Sequence, residues 1–147
     1  MGPDGDRLTS SVGSLFLYEV RQCGYEDARL TDQYNLVQTF RVSFPIRHLV
    51  LSRTQVSDEG LLHLKKLTSL SGLYISGTQI TDAGLVHLKE LNKLEELDLS
   101  DTQVTDDGLI HLKELTNLAV LTLSGTQVTD DGVEKLQQAL PDCEIFR

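Results

Sequence analysis

A chain of 147 residues with 22 acidic against 13 basic side chains and a formal net charge of −9 is a poor ligand for nucleic acid, because phosphate binding needs clustered Lys and Arg to displace counterions. Its length fits one domain, it holds no apolar run long enough to span a bilayer, and no basic, apolar and small-residue succession marks a leader at its start. Two cysteines, Cys23 and Cys143, make no disulfide framework, and the chain reads as soluble, cytoplasmic and without a membrane partner.

In chain order, residues 1–12 (MGPDGDRLTSSV) are Gly-, Pro-, Asp- and Ser-bearing and are expected to be disordered. Residues 13–45 are expected to form an N-terminal cap or degenerate first repeat: LFLYEV (15–20) suggests a strand, and LTDQYNLVQTF (30–40) a helix with Thr31 at its N-cap. All four phenylalanines, Phe16, Phe40, Phe44 and Phe146, lie where the apolar ends of a short stack need cover. Pro45, which cannot donate to a ladder, suits a strand start.

Residues 46–141 consist of four units of 24 residues, plainest as TQVSDEGLLHL (54–64), TQITDAGLVHL (78–88), TQVTDDGLIHL (102–112) and TQVTDDGVEKL (126–136). Such a period marks supersecondary units that bury a continuous core only by stacking. Six slots are aliphatic in every unit: Ile46, Leu70, Leu94, Leu118; Leu49, Leu73, Leu97, Leu121; Leu51, Ile75, Leu99, Leu123; Val56, Ile80, Val104, Val128; Leu61, Leu85, Leu109, Val133; Leu64, Leu88, Leu112, Leu136. Pairs such as Leu97 and Leu99 alternate as in a short strand, while Leu109, Leu112 and Leu115 recur at steps of three, as on a short helix or helical turn. Ser57, Thr81, Thr105 and Thr129 are placed as N-caps, and Asp58, Asp82, Asp106 and Asp130 meet the positive end of the helix dipole. Gly60, Gly84, Gly108 and Gly132 are expected to admit backbone of the adjacent coil. In 142–147, Cys143 and Ile145 fall near strand slots, so a half-repeat is expected to seal the last coil.

The pattern L-x-x-L-x-L-x-x-T-x-[VI]-[ST]-D-x-G-L-x-x-L over residues 46 to about 146 resembles the leucine-rich repeat, in its T-x-V-T-D-x-G-L bacterial and ribonuclease-inhibitor-like variety. It departs from many such repeats in carrying Thr54, Thr78, Thr102 and Thr126 where Asn is usual, so a hydroxyl ladder replaces an amide one. The resemblance implies an α/β fold: a right-handed solenoid, capped at both ends, with parallel strands on a concave face and short helices on a convex one. Protein recognition is the usual work of that face.

If the L-x-L side chains turn inward, the residues beside them form the candidate partner-binding surface: Arg47, His48, Val50 and Arg53, then Tyr74, then Glu96, Asp98 and Asp101, and Thr122. This face is basic at one edge and acidic (with Glu95) further on, so it fits a protein or peptide with a basic segment, bound by a monomer. Tyr74, the only aromatic inside the array, is the expected anchor; its other reading is a strand former on a solvated face. A structural or self-associating unit is the alternative function. A metal surface on His63, His87 and His111 is a further one, but those residues lack companion ligands, so no metal and no cofactor is expected. The Gln55, Gln79, Gln103 and Gln127 ladder reads as amide stacking in the turn. No nucleophile elbow, phosphate loop or paired acid stands outside the repeat register, so no catalytic residue is assigned and the chain is not read as an enzyme.

Overall fold

The computed structural model describes residues 46–147, which fall within one unit, Pro45–Arg147. The expectations for residues 1–12 and 13–45, including the strand at 15–20, the helix at 30–40 and any cover by Phe16, Phe40 or Phe44, lie outside the described residues.

Five three-residue strands, β1 (His48–Val50), β2 (Gly72–Tyr74), β3 (Glu96–Asp98), β4 (Val120–Thr122) and β5 (Glu144–Phe146), form one parallel sheet in chain order. Every pairing keeps the repeat register: Leu49, Leu73, Leu97, Leu121 and Ile145 stand side by side. Only the middle residue of each strand faces the core, because successive side chains point to opposite faces.

Opposite the sheet, each coil returns through a short helical segment. The first two begin as single α-turns, α1 (Asp58–Leu61) and α2 (Asp82–Leu85), which tighten into 3₁₀ turns at Leu62–Lys66 and Val86–Leu88. The third is 3₁₀ throughout, Gly108–Leu112, and only the fourth extends to ten residues, α3 (Asp130–Ala139). The 3₁₀ turns suit the spacing, since leucines at steps of three eclipse when there are three residues per turn. Among the described residues no helix is long and apolar enough to cross a membrane.

The aliphatic slots fill the interior, with Leu70, Leu73, Ile75, Leu94 and Leu99 fully buried and Leu97 at 1% exposure. Two expected core members at the ends, Ile46 and Val133, are only half-buried. The slot-54 hydroxyls bond within their own coil: those of Thr54, Thr78, Thr102 and Thr126 donate to the carbonyls of Leu51, Ile75, Leu99 and Leu123 at 2.6–2.7 Å. Thr78 and Thr102 are thereby buried without an unmet donor. The glutamines differ from expectation. Their backbone N–H groups make the coil-to-coil bonds, Gln79 to Val56, Gln103 to Ile80 and Gln127 to Val104, and their side chains are exposed.

The repeated Asp does more than complement a helix dipole. Asp58 reaches the next coil, where its Oδ1 accepts from the Thr81 backbone N–H (2.9 Å) and its Oδ2 from the Thr81 hydroxyl (2.6 Å). Asp82 holds Thr105 (2.8 and 2.7 Å) and Asp106 holds Thr129 (2.7 and 2.5 Å) in the same way. Each threonine hydroxyl in turn accepts an orphan helix N–H, from Ala83, Asp107 or Gly132. Ser57 differs: it makes no cap bond and donates instead to Glu59 (2.6 Å). The glycines follow from this ladder. A Cβ on Gly84, Gly108 or Gly132 would strike the carboxylate of Asp58, Asp82 or Asp106, so the close neighbour is a side chain and not the expected backbone. Asp130 pairs with Arg147.

Bonds from the Thr129 hydroxyl and N–H hold Asp106 below the usual carboxylate range. A folded-state value below the unfolded one means that the unfolded chain takes up the proton first as pH falls, so this contribution is present above about pH 4 and lost beneath it. Asp106→Asn is expected to flatten the fall of unfolding free energy between about pH 4 and pH 2, followed by urea melts. An acid limb as steep as the parent's would exclude Asp106 as a source.

Candidate functional site

Because the register advances by one coil per strand, the sheet side is a grid whose rows read straight off the pairings. One row holds His48, Gly72, Glu96, Val120 and Glu144; the next holds Val50, Tyr74, Asp98, Thr122 and Phe146. Beyond the strands the ladder continues through bonds such as Leu51 N–H to Tyr74 O and Arg53 N–H to Ser76 O, both 2.7 Å, which carries Ser52, Ser76, Ser100 and Ser124 into a third row. A fourth row is the turn, Arg53, Gly77, Asp101 and Gly125, where all four residues have positive φ (59°, 63°, 54° and 73°).

Apart from Arg47, which immediately precedes β1, the sequence-proposed residues lie on one side, in adjacent rows. Arg47, His48 and Arg53 stand on the first coil, and Glu95, Glu96, Asp98 and Asp101 on the third. Two strand spacings, about 10 Å, separate these groups. Among the described residues the only ion pair is Arg147 with Asp130, so no ion pair crosses this face. Val50 is 46% exposed, and Thr122 is half-buried two coils away from Tyr74.

The second coil between the charged ones is low. Its outward positions are Ser71, Gly72, Ser76 and Gly77 around Tyr74, and the neighbours lean into the space. A Cβ on Gly72 would run into the His48 imidazole and the Tyr74 ring, and one on Gly77 would crowd Arg53 Cγ. The Tyr74 hydroxyl donates to Glu96; that bond, then burial, then the charges of Glu96 and Asp98 push the phenol above its ordinary range. The hydroxyl of Tyr74 is therefore committed within the face, and the residue is half-buried. Asp98 is steadied by Ser100, whose N–H and hydroxyl donate to Oδ1 at 2.9 and 2.6 Å.

Phe146 was assigned above to covering an end, but it is 50% exposed in the row of Val50 and Tyr74. Carrying the register one step past Thr122 would have placed it there. Gln137, at the slot of Lys65, Lys89 and Lys113, was also missed: its amide donates to the carbonyls of Leu140 and Cys143 (both 2.9 Å) and ties α3 to the approach of β5. Cys143 is buried, which pushes its thiol up. His63 is exposed and His87 and His111 half-buried on the helical side; among the described residues no group of His, Cys, Asp and Glu is placed to hold a metal ion.

The family model described as leucine-rich repeat matches residues 42–65, 90–113 and 114–136. Residues 46–147 fold as a leucine-rich-repeat solenoid. Among solved structures, a leucine-rich-repeat protein of Leptospira interrogans is 23% identical over 58% of this chain and 27% of its own, at a TM-score of 0.44. The Chaetomium Mex67:Mtr2 subunits match at 16% identity over 78% of this chain and 89% of theirs, with a TM-score of 0.59. Internalin C2 of Listeria monocytogenes matches at 22% identity over 92% of this chain and 66% of its own, with a TM-score of 0.55. No curated protein matches the sequence. At these identities the likeness is one of fold, and this leucine-rich-repeat chain spans only part of the Leptospira and Listeria proteins.

Proposed function

We propose that this leucine-rich-repeat chain is a non-enzymatic protein-binding module whose recognition surface is the sheet side with its adjoining turn, and that its partner is a protein or peptide presenting a basic segment to Glu96, Asp98 and Asp101. One observation carries the reading. In the turn row, Gly77 and Gly125 adopt positive φ freely, yet the alternating coils place Arg53 and Asp101 in the same left-handed conformation. A bulky L-residue there costs about 1–2 kcal/mol, less for Asp. Stability alone would favour glycine in all four coils, so charge at these two positions is kept for another reason, and both charges border the outward face.

Arg47, His48 and Arg53 on one coil and the acids two coils on give the face a dipole that orients a partner during encounter. Tyr74 supplies the uncharged ground between them, with Val50 beside the basic group on the first coil and Thr122 beyond the acids on the fourth. Five strands at about 4.8 Å give a strip roughly 20 Å across and, over three residues at about 3.3 Å, roughly 10 Å long; that area of about 200 Å² is below the ~800 Å² per partner of a stable complex, so the partner is a short segment or engages the turn row as well.

The test uses two variants of the full chain in capture from native lysate. Glu96→Lys/Asp98→Lys is expected to lose the captured partner. Arg53→Gly/Asp101→Gly is expected to lose it too while unfolding at higher denaturant, by about 0.5–1 kcal/mol, so weaker capture cannot be blamed on misfolding. An unchanged captured set with both variants would end the sheet-side reading.

A further inference from the structure

We infer that the helical side of the first three coils is a self-complementary surface on which a second copy of this chain docks, about a two-fold axis running along the stack. The sheet-side proposal makes no use of this surface. Each coil repeats one order at steps of three residues: Glu59, Leu62, Lys65; Ala83, Val86, Lys89; Asp107, Ile110, Lys113. Steps of three eclipse in a 3₁₀ turn, and Leu62–Lys66, Val86–Leu88 and Gly108–Leu112 are such turns. The helical segments of successive coils pack beside one another, so the three orders align as rows: one acidic at Glu59 and Asp107 with Ala83 between them, one aliphatic and one basic.

The aliphatic row adds nothing to the chain's own core. Leu61, Leu64, Leu85, Leu88, Leu109 and Leu112 fill that role and are buried, whereas Leu62 is 47% and Ile110 58% exposed, with Val86 partly exposed between them. Among the described residues none of the flanking charges is in an ion pair. Glu90 and Glu114 follow Lys89 and Lys113 outside the rows, and the histidines His63, His87 and His111 adjoin the aliphatic row. The stripe stops at the fourth coil, where Glu134 takes the aliphatic slot and Gln137, the lysine slot, is spent on the carbonyls of Leu140 and Cys143.

The order of the rows decides how two copies fit. Rotation about an axis along the aliphatic row reverses the rows, setting Glu59 and Asp107 of one copy against the lysine row of the other and bringing Leu62, Val86 and Ile110 against their equivalents. An axis across the rows would set acid on acid and lysine on lysine. An isologous contact must be complementary to itself, and one of the two arrangements is. Three helical segments about 8–10 Å apart and a row span of roughly 12 Å make a patch far smaller than ~800 Å². The association is therefore weak, on the order of hundreds of micromolar. The net charge of −9 opposes it beyond the patch, and salt near 0.15 M, with a Debye length of about 8 Å, screens that repulsion.

Sedimentation equilibrium of the full chain at about 0.15 M salt and protein up to about 1 mM tests this. The average mass is expected to rise toward twice that of the monomer, and Ile110→Glu, with circular dichroism unchanged, to stay monomeric. Two charge variants remove dependence on that substitution. Lys65→Glu/Lys113→Glu and Glu59→Lys/Asp107→Lys, which reverse the charges that face each other, are each expected to be monomeric alone and to associate when mixed in equal amounts. A parent monomeric throughout, association that survives Ile110→Glu, or a mixture that stays monomeric would overturn the proposal.

Discussion

Leu97→Ala is expected to lower the unfolding free energy by about 2–5 kcal/mol, read as a fall in the urea midpoint at unchanged slope. Leu97 is the central residue of the central strand, 1% exposed, with Leu73 and Leu121 in register on either side, both fully buried. The space left by truncation is bounded by side chains of three coils. Those coils cannot close on it without breaking the backbone ladder on both sides of β3, such as Ile75 N–H to Asp98 O and Leu99 N–H to Thr122 O. That places the expected loss well above the lower bound for leucine truncation, which belongs to sites free to collapse. Glu96→Ala, one residue away and facing solvent, serves as the comparison and is expected to change stability by no more than about 0.5 kcal/mol. Equal losses from the two substitutions would mean that the strand is turned the other way.

The second large effect concerns Gly108. By helix propensity, Gly→Ala at the start of a helical turn should stabilise by up to about 1 kcal/mol. Here the opposite is expected, a loss of about 1–3 kcal/mol, because the new methyl group displaces the Asp82 carboxylate from the Thr105 N–H and hydroxyl and leaves half-buried polar groups unmet. Asp82→Ala alone is expected to cost a similar amount for the same reason. Once Asp82 is gone the methyl group's remaining close neighbour is Leu85 Cδ1 at 3.0 Å, the end of a flexible side chain, so the double variant should cost much less than the sum, with an interaction energy of at least about 1 kcal/mol. Additive losses would show that alanine at 108 acts through something other than this carboxylate.

Much of the architecture was legible in the sequence because a repeat reports its register four times over. The pairing of Leu49, Leu73, Leu97 and Leu121, the parallel order and the rows of the outward face all follow from adding 24 to a residue number. What could not be read was contact between slots of different kind. Asp82 and Thr105 are 23 residues apart and each already had a sufficient local explanation, the dipole and the cap, so nothing in the sequence demanded the bond between them. The 3₁₀ character of the third coil was equally hidden, since leucines at steps of three suit either helix in so short a segment. On the sheet side the residues were named correctly as neighbours, but side-chain direction was beyond the pattern: that His48 leans over Gly72 and that the Tyr74 hydroxyl turns to Glu96 depend on rotamers. Phe146 was misjudged for a different reason, because an aromatic at the end of a stack suggests a lid while its register places it in the open.

The bond from each Asp to the following Thr also sets how the molecule can change length. A duplicated block of 24 residues brings its own carboxylate for the coil after it and its own hydroxyl for the coil before it, so inserting one between any two coils regenerates both junctions. A block that does not bring its own Asp and Thr to the two junctions orphans two charged or polar groups at once. Growth and loss by whole units therefore leave the junction chemistry intact.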